Sequence, residues 1–479
     1  MSSGQPSSSR TATHPSLILA ICCMSIFLVA IDVTIVNVAL PAIKRDLHSS
    51  IAGLQWSIDG YTVVVASFLM LAGSTADRIG RRRIFQIGLS LFTLGSFLCS
   101  LAPTTFTLVI CRMLQALGGS MLNPVAMSII TNTFTDLKAR ARAIGTWGAV
   151  VGISMAVGPL LGGFLTQTIG WRSIFWINIP VGLLAIFLTI KFIPESRATK
   201  TRRIDPVGQV LVVVTLITLI SALIEGPHWG WNSLTIISMF IVAGVALVSL
   251  IAYERVRSEP LVDLRFFRSS PFSSATVTAV LAFTAFSGFL FLNSLYLQEA
   301  RGFSASTAGI CLLPTAIAMI FCSPFSGRLV GAGRARLATL IAGTGLAGGA
   351  LLLTQLHVDT ALPYLLFAYA IFGIGMGTVN APITHAAVSG MPRAQAGVAA
   401  ALASTSRQVG ASLGVALAGS FTESHQGEGI LGDSFTSSTH LFWWLIFGCG
   451  VVIAGLGLAA TGKKAQSSVL RIAHLLEED

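Results

Sequence analysis

Fourteen apolar stretches, each long enough to cross a bilayer, follow one another along almost the whole of this chain. They fall at 16–41, 53–76, 84–102, 106–131, 141–166, 173–194, 206–224, 233–253, 272–297, 305–330, 337–356, 363–389, 397–420 and 440–461. A helix needs about 20 apolar residues to span the hydrocarbon core, and helices satisfy their own backbone groups there. The expected fold class is an all-α polytopic membrane protein. Composition agrees: 53% of the 479 residues are hydrophobic and only 10% charged, against about 25% charged in ordinary soluble proteins. Such a chain lacks the polar surface of a soluble multidomain enzyme. The first stretch outruns a signal-peptide core and no A-x-A-like site follows it, so it reads as a span.

Lysine and arginine set the orientation. With the N-terminus inside and spans alternating, 24 of the 30 basic side chains fall in cytoplasmic segments. External loops keep four, Lys44, Arg45, Arg172 and Arg301, while Arg112 and Arg407 lie within spans. This positive-inside bias places both termini in the cytoplasm. The net charge of +11 then reports topology, and nucleic acid is not an expected partner. Trp56, Trp171, Trp229, Trp231, Trp443 and Trp444 fall near external ends, as an interfacial aromatic belt would. The seven cysteines lie in apolar runs without metal-ligand spacing and read as small buried hydrophobes.

The segment Gly73–Arg82, G-S-T-A-D-R-I-G-R-R, has a degraded echo at Gly327–Arg336, G-R-L-V-G-A-G-R-A-R, 254 residues later. An offset of about eight span-plus-loop units suits parallel repeats separated by an extra helical pair. The expected plan is 6+2+6. A cytoplasmic tail (1–15) leads into an N-terminal six-helix bundle (16–194). A linker with two further spans (195–271), a C-terminal six-helix bundle (272–461) and a cytoplasmic tail (462–479) follow. Phosphate-loop, zinc-protease and nucleophile-elbow motifs are all missing, and no soluble segment is large enough for a catalytic domain. An enzyme is therefore not expected, nor is ATP-driven transport within this chain.

Ionisable groups inside a membrane span are costly and point to function. Asp32 lies among apolar neighbours in the first span and is a candidate for taking up and releasing a proton; the alternative is a structural carboxylate held by Thr34, Asn37 or a neighbouring helix. Asp59, near the external end of the second span, reads equally as a solvated rim charge or a second cation or proton site. Arg112, in the fourth span, is always charged and needs a partner, for which Asp32 is the obvious choice. Protonation that frees the arginine would couple proton binding to helix movement; a static pair is the other reading. In the fifth span, Gly148, Gly152, Gly158, Pro159 and Gly163 provide small residues and a kink for close helix packing.

Together the Asp32–Pro41 stretch, the Gly73–Arg83 loop, Arg112–Gly119, Gly148–Gly163 and Trp171–Gly182 resemble the signature motifs of the major facilitator superfamily. The last, W-R-S-I-F-W-I-N-I-P-V-G, is similar to a segment of its fourteen-helix drug:H⁺ antiporter branch. The resemblance covers nearly the whole chain and implies a major facilitator fold with 14 transmembrane helices. It implies that Gly73, Asp77, Arg78, Gly80 and Arg81 form a cytoplasmic gating loop, with Asp136, Arg140 or Arg142 as possible partners. It links Arg112 to proton transfer, and Gly152, Gly158, Pro159 and Gly163 to antiport.

The second half departs from relatives that carry acidic residues for dicationic drugs: Glu299 lies near an external end, and His385 and Arg407 are the deep polar groups. His385 reads more readily as a hydrogen-bonded structural histidine than as a proton relay. Asn37, Gln115, Asn293, Gln298 and Asn380 are candidates for a substrate cavity. Phe283, Phe286, Phe289 and Phe291 would either line it or pack. The expected function is proton-coupled efflux of small hydrophobic or cationic drugs across a bacterial cytoplasmic membrane by a monomer. The proton is the coupling ion, and no metal or organic cofactor is implied. The alternative is a transporter of the same fold moving an endogenous metabolite, siderophore, amino acid or lipid, outward or inward.

Overall fold

The computed structural model describes residues 14–197, 205–257, 260–389, 391, 396–423 and 433–459, and all the long elements among them are helices. Each expected span holds one. They are α1 (Pro15–Leu47), α2 (Ile51–Ile79), α3 (Arg81–Ser100), α4 (Thr105–Thr133), α5 (Leu137–Thr168), α6 (Ser173–Phe192) and α7 (Pro206–Trp229). The series continues with α8 (Leu234–Val256), α9 (Ser270–Ala300), α10 (Ala305–Gly331), α11 (Ala335–Leu353), α12 (Leu362–Val388), α13 (Ala396–Glu423) and α14 (Asp433–Ala459). Thirteen have the length and apolar character of a membrane span; α13, with Arg407 and Gln408 at its middle, is the fourteenth. The expected tails lie almost wholly outside the described residues, as do Arg10, Lys200, Arg202, Arg203, Arg393, Lys463, Lys464 and Arg471.

Several helices run through prolines. A proline inside a helix cannot donate to the carbonyl four residues back, and in a membrane that carbonyl needs another partner. Pro41, Pro227 and Pro382 leave Asn37, Leu223 and Thr378 in this position. In each case a serine from a neighbouring helix fills it. Ser294 Oγ donates to Asn37 O at 2.5 Å, Ser420 Oγ to Leu223 O at 2.5 Å, and Ser326 Oγ to Thr378 O at 2.7 Å. Pro41 thus does not end the first span. The helix continues to Leu47, and its freed carbonyl becomes a docking point for α9.

The first six helices pack mainly on one another, α1 on α5 and α3 on α4 among them; in the last six, α9 packs on α13 and α11 on α12 and α14. The aromatic cluster of α9 belongs to packing: Phe289 stacks on Phe372 and meets Tyr369 and Trp443 edge-on, and Phe286 and Phe291 are buried. The tryptophan belt is partial. Trp229, Trp231 and Trp444 are exposed, but Trp171 and Trp443 are buried. Trp443 and Trp444 are consecutive on one helix, so about 100° separates them and only one can face outward. The cysteines are all free and buried or half-buried.

The added pair α7 and α8 pack on each other, and α7 leans on α2 and α13, where the two groups of six meet. Gln209 Nε2 donates to Ser67 O at 2.7 Å, and Trp56 Nε1 to Glu225 Oε1 at 3.0 Å.

The polar contacts between the first six and last six helices collect toward one end. Gln298 Nε2 donates to Val38 O at 2.8 Å, beside the Ser294–Asn37 bond. Lys44 Nζ pairs with Glu299 Oε2 at 2.8 Å. Gln55 Nε2 donates to Ala416 O at 2.8 Å, and Ser306 Oγ to Gly163 O at 3.2 Å. Gly145, Gly148 and Gly152 of α5 and Gly327 and Gly331 of α10 have nothing within 4 Å of where a Cβ would stand. The polar contacts that tie the two groups together thus gather at the end of the Lys44 loop, while these glycines, toward the end carrying Arg81, Arg142 and Arg336, face open space.

Candidate functional site: a buried carboxylate and its donors

Asp32 lies in the middle of α1, fully buried, in a network that draws on four other helices. Arg112 of α4 donates from Nη1 to Asp32 Oδ2, forming a buried ion pair. Gln115, one helical turn further along α4, donates from Nε2 to Asp32 Oδ1 at 2.8 Å and accepts from Arg112 Nη1 at 2.8 Å. Asn178 of α6 donates to the same Oδ1 at 3.1 Å and to Ser96 Oγ of α3 at 2.9 Å; Ser96 in turn donates to Phe175 O at 3.2 Å. The guanidinium also reaches Ser57 O at 3.2 Å from Nε and lies 4.4 Å from the centre of the Tyr61 ring on α2.

This geometry has a chemical consequence. An ionised Asp32 accepts three hydrogen bonds, and its charge cancels that of Arg112. Adding a proton removes the counter-charge and leaves a buried arginine, a change of several kcal/mol for groups out of water. Because α1, α2, α3, α4 and α6 all contribute groups, one proton changes the interactions that hold five helices in register.

Two of the expected residues, Asp32 and Arg112, are thus in direct contact. Gln115, expected on a cavity wall, instead belongs to this network and is fully buried, because both its amide atoms are engaged there. Sequence reasoning gave no role to Asn178, although it sits inside the W-R-S-I-F-W-I-N segment, nor to Ser96 or Tyr61. Asp59 is no rim charge: its carboxylate is fully buried on α2, accepting from Thr62 Oγ1 at 3.2 Å.

The other cavity candidates scatter. Asn293 is buried against Tyr369, whose hydroxyl donates to its Oδ1, and Gln298 serves the seal. Asn37 is nearly buried on α1, and Asn380 is half-buried on α12. His385 is exposed near the end of α12, so it is not a buried structural histidine.

The expected gating loop turns through Gly80, whose φ of 130° strongly favours glycine. A Cβ there would also meet the Glu195 carboxylate at 2.6 Å. Asp77 Oδ1 accepts from Arg81 Nη2 at 2.8 Å, one turn away, while Gly73 packs lightly on Pro124 and Arg78 is exposed. The partner across the loop is Glu195, after α6, which accepts from the Arg82 N–H at 3.1 Å. Asp136, Arg140 and Arg142 do not fill that role. Asp136 caps α5 through Ala139 N–H, Arg140 donates to Phe134 O, and Arg142 is exposed. The echo turns likewise through Gly333, φ 74°, before α11.

The glycine motif of α5 divides at Pro159. A Cβ at Gly158 would collide with Thr34 Oγ1 of α1, and one at Gly163 with Ala305 O of α10, so these two permit close approach. Gly148 and Gly152, expected to pack closely as well, face open space.

A multi-pass membrane protein whose two groups of helices are tied together at one end, with a buried charge network in the first of them, has the form of a secondary transporter. The Major Facilitator Superfamily profile matches residues 22–415, and the chain belongs to that family; it is a transporter and not an enzyme. It is 38% identical over 398 residues to the multidrug resistance protein Stp of Mycobacterium tuberculosis (strain CDC 1551 / Oshkosh), covering 83% of this chain and 74% of that one. It is 36% identical over 410 residues to the tetracenomycin C resistance and export protein of Streptomyces glaucescens, covering 85% and 75%. Among solved structures, the human organic anion transporter MFSD10 (TETRAN) superposes with a TM-score of 0.65 at 15% identity, covering 95% of this chain and all of that one. At that identity the likeness speaks for the fold alone.

Proposed function

We propose that this chain exports small, largely hydrophobic drug-like compounds in exchange for protons, by alternating access across a bacterial cytoplasmic membrane. Relatives named for drug resistance and export, alike over most of their length, support the direction and the substrate class. The observation that carries the coupling mechanism is the fully buried Asp32–Arg112 pair with its donors from several helices. Asp32 takes the proton, Arg112 is its electrostatic partner, and Asp59 is a second proton site. Substrate and proton bias one equilibrium between inward-open and outward-open forms, so they couple without touching.

In this reading a cleft opens to the cytoplasm, where the basic loops lie, and both termini are there too. Segments 16–194 and 272–461 are the two moving bundles, 195–271 carries the added pair, and 1–15 and 462–479 are cytoplasmic tails. One copy of the chain suffices. Gly73, Asp77, Arg78, Gly80 and Arg81, with Glu195, make the cytoplasmic gate. Gly148 and Gly152 wait on the open half of α5 for the approach that closes it.

Proteoliposomes enclosing a pH-sensitive dye test this reading. Adding drug-like compounds in turn should elicit a proton flux in the wild type that Asp32→Asn abolishes. A flux that survives the substitution removes Asp32 as the coupling group, and a wild type in which no compound moves protons removes the drug-export reading.

A further inference from the structure

Two buried acids lie together outside the Asp32 network. Asp205, the residue before α7, and Glu254, near the end of α8, are each 3% exposed. Among the described residues neither enters an ion pair. One oxygen of each is served by the fold. Asp205 Oδ1 caps α7, accepting from Gly208 N–H at 3.0 Å, and also accepts from the Tyr253 hydroxyl at 3.2 Å. Glu254 Oε2 accepts from Val262 N–H at 3.4 Å. The other two oxygens, Asp205 Oδ2 and Glu254 Oε1, are buried without a hydrogen-bond donor. They are aimed at the same place: a Cβ on Gly208 would meet Glu254 Oε1 at 2.6 Å and Asp205 Oδ2 at 2.9 Å. Only a glycine at 208 leaves room for both.

Two carboxylates sharing a site out of water do not both stay ionised, and one of them keeps a proton. A proton between the two bare oxygens makes a charge-assisted O–H···O⁻ bond, satisfies both atoms at once and leaves the pair a single negative charge. The cation beside it is Arg257, exposed just past α8 with its guanidinium 5.7 Å from the centre of the Tyr253 ring. The other charged groups on the packed elements are turned elsewhere. Asp263 pairs with Arg265 and Asp77 with Arg81, Arg407 of α13 donates to Ser404 Oγ, and Arg78, Arg255 and Arg268 are exposed.

We propose that Asp205 and Glu254 form a further proton-binding site, holding one proton between them, and that this proton fastens the segment 260–269 to the added helical pair. That segment leads into α9. It hangs from Glu254 by the Val262 N–H, and its Phe266 is buried edge-on against Phe272 of α9. The fastened form binds the proton more tightly than two separated acids would. Fastening is therefore favoured at low pH and weakens as the pH rises through the titration of the pair. The site shares no group with Asp32, and it stands or falls apart from the export reading.

Hydrogen–deuterium exchange of the full chain in lipid nanodiscs tests it, with rates corrected for the intrinsic effect of pH. In the wild type, protection of the 260–269 amides should fall about tenfold from about pH 5.5 to about pH 9, while peptides of α4 and α9 keep theirs and report an intact fold. In Glu254→Gln the amide nitrogen takes the place of the proton by donating to Asp205 Oδ2, so protection should stay high across the series. Asp205→Asn, which still caps α7, should do the same. A wild type whose 260–269 protection is flat with pH overturns the proposal, as does a pH response that survives in both variants. Loss of that protection at every pH in both variants, with α4 and α9 intact, also overturns it. Protection that follows added Mg²⁺, Ca²⁺ or Na⁺ instead of pH would assign the pair to a metal cation and overturn the shared proton.

Discussion

Asp32 and Arg112 are each held in place chiefly by the other, so their substitutions should not add. Asp32→Asn strands a buried guanidinium and should lower stability by about 3–5 kcal/mol. Asp32→Asn combined with Arg112→Gln removes both charges and should recover most of that loss, yet transport should remain dead. Thermal unfolding in detergent, set beside transport, checks this; a double variant no more stable than the single would mean that the pair is not the unit described. The two charges were legible because ionisable residues are rare inside apolar runs. Gln115, Asn178 and Ser96 were not, because neutral polar residues occur in many spans and only the fold shows that they converge on one carboxylate. Glu195 was missed for a related reason: an acid in a basic loop looks solvated until Gly80 brings the loop against it.

The helices show how proline, serine and glycine shape contacts. Ser294 closes the gap left by Pro41 in a bond that crosses the two groups of helices, so Ser294→Ala should loosen the seal more than it loosens the fold. A cysteine placed at Val38, nearly buried in this state, should then react faster with a membrane-impermeant maleimide. An unchanged rate would show that the bond does not hold the seal. Glycines of the same motif should also separate by position. Gly158→Ala drives a methyl into Thr34 and should cost about 1–3 kcal/mol, the usual range for overpacking, whereas Gly148→Ala, facing open space, should leave thermal stability unchanged. Equal losses at both would contradict the division at Pro159. All fourteen helices were legible from hydropathy, including α13 despite its arginine. Which face of each helix is buried was not, since an apolar residue serves equally well against lipid or protein; hence Trp443 in the core beside Trp444 on the surface.

At the scale of the whole molecule, alternating access requires the sealed end to open as the cleft closes, with Asp32 linking that exchange to protons. The echo between the loops at Gly80 and Gly333, each a positive-φ glycine before a basic helix, fits two halves built alike and able to rock against each other. Spin labels report this directly. On a cysteine-replaced background, one pair at Arg142 and Arg336 watches the cleft end and another at His48 and Gln355 the sealed end; all four positions are exposed. Pulsed electron–electron distances would be recorded across a pH series for the wild type and Asp32→Asn. In the wild type the two distances should change in opposite senses with pH, and in Asp32→Asn the pH response should vanish. A variant whose distances follow pH as the wild type's do would contradict the central claim that the Asp32 proton sets which side is open.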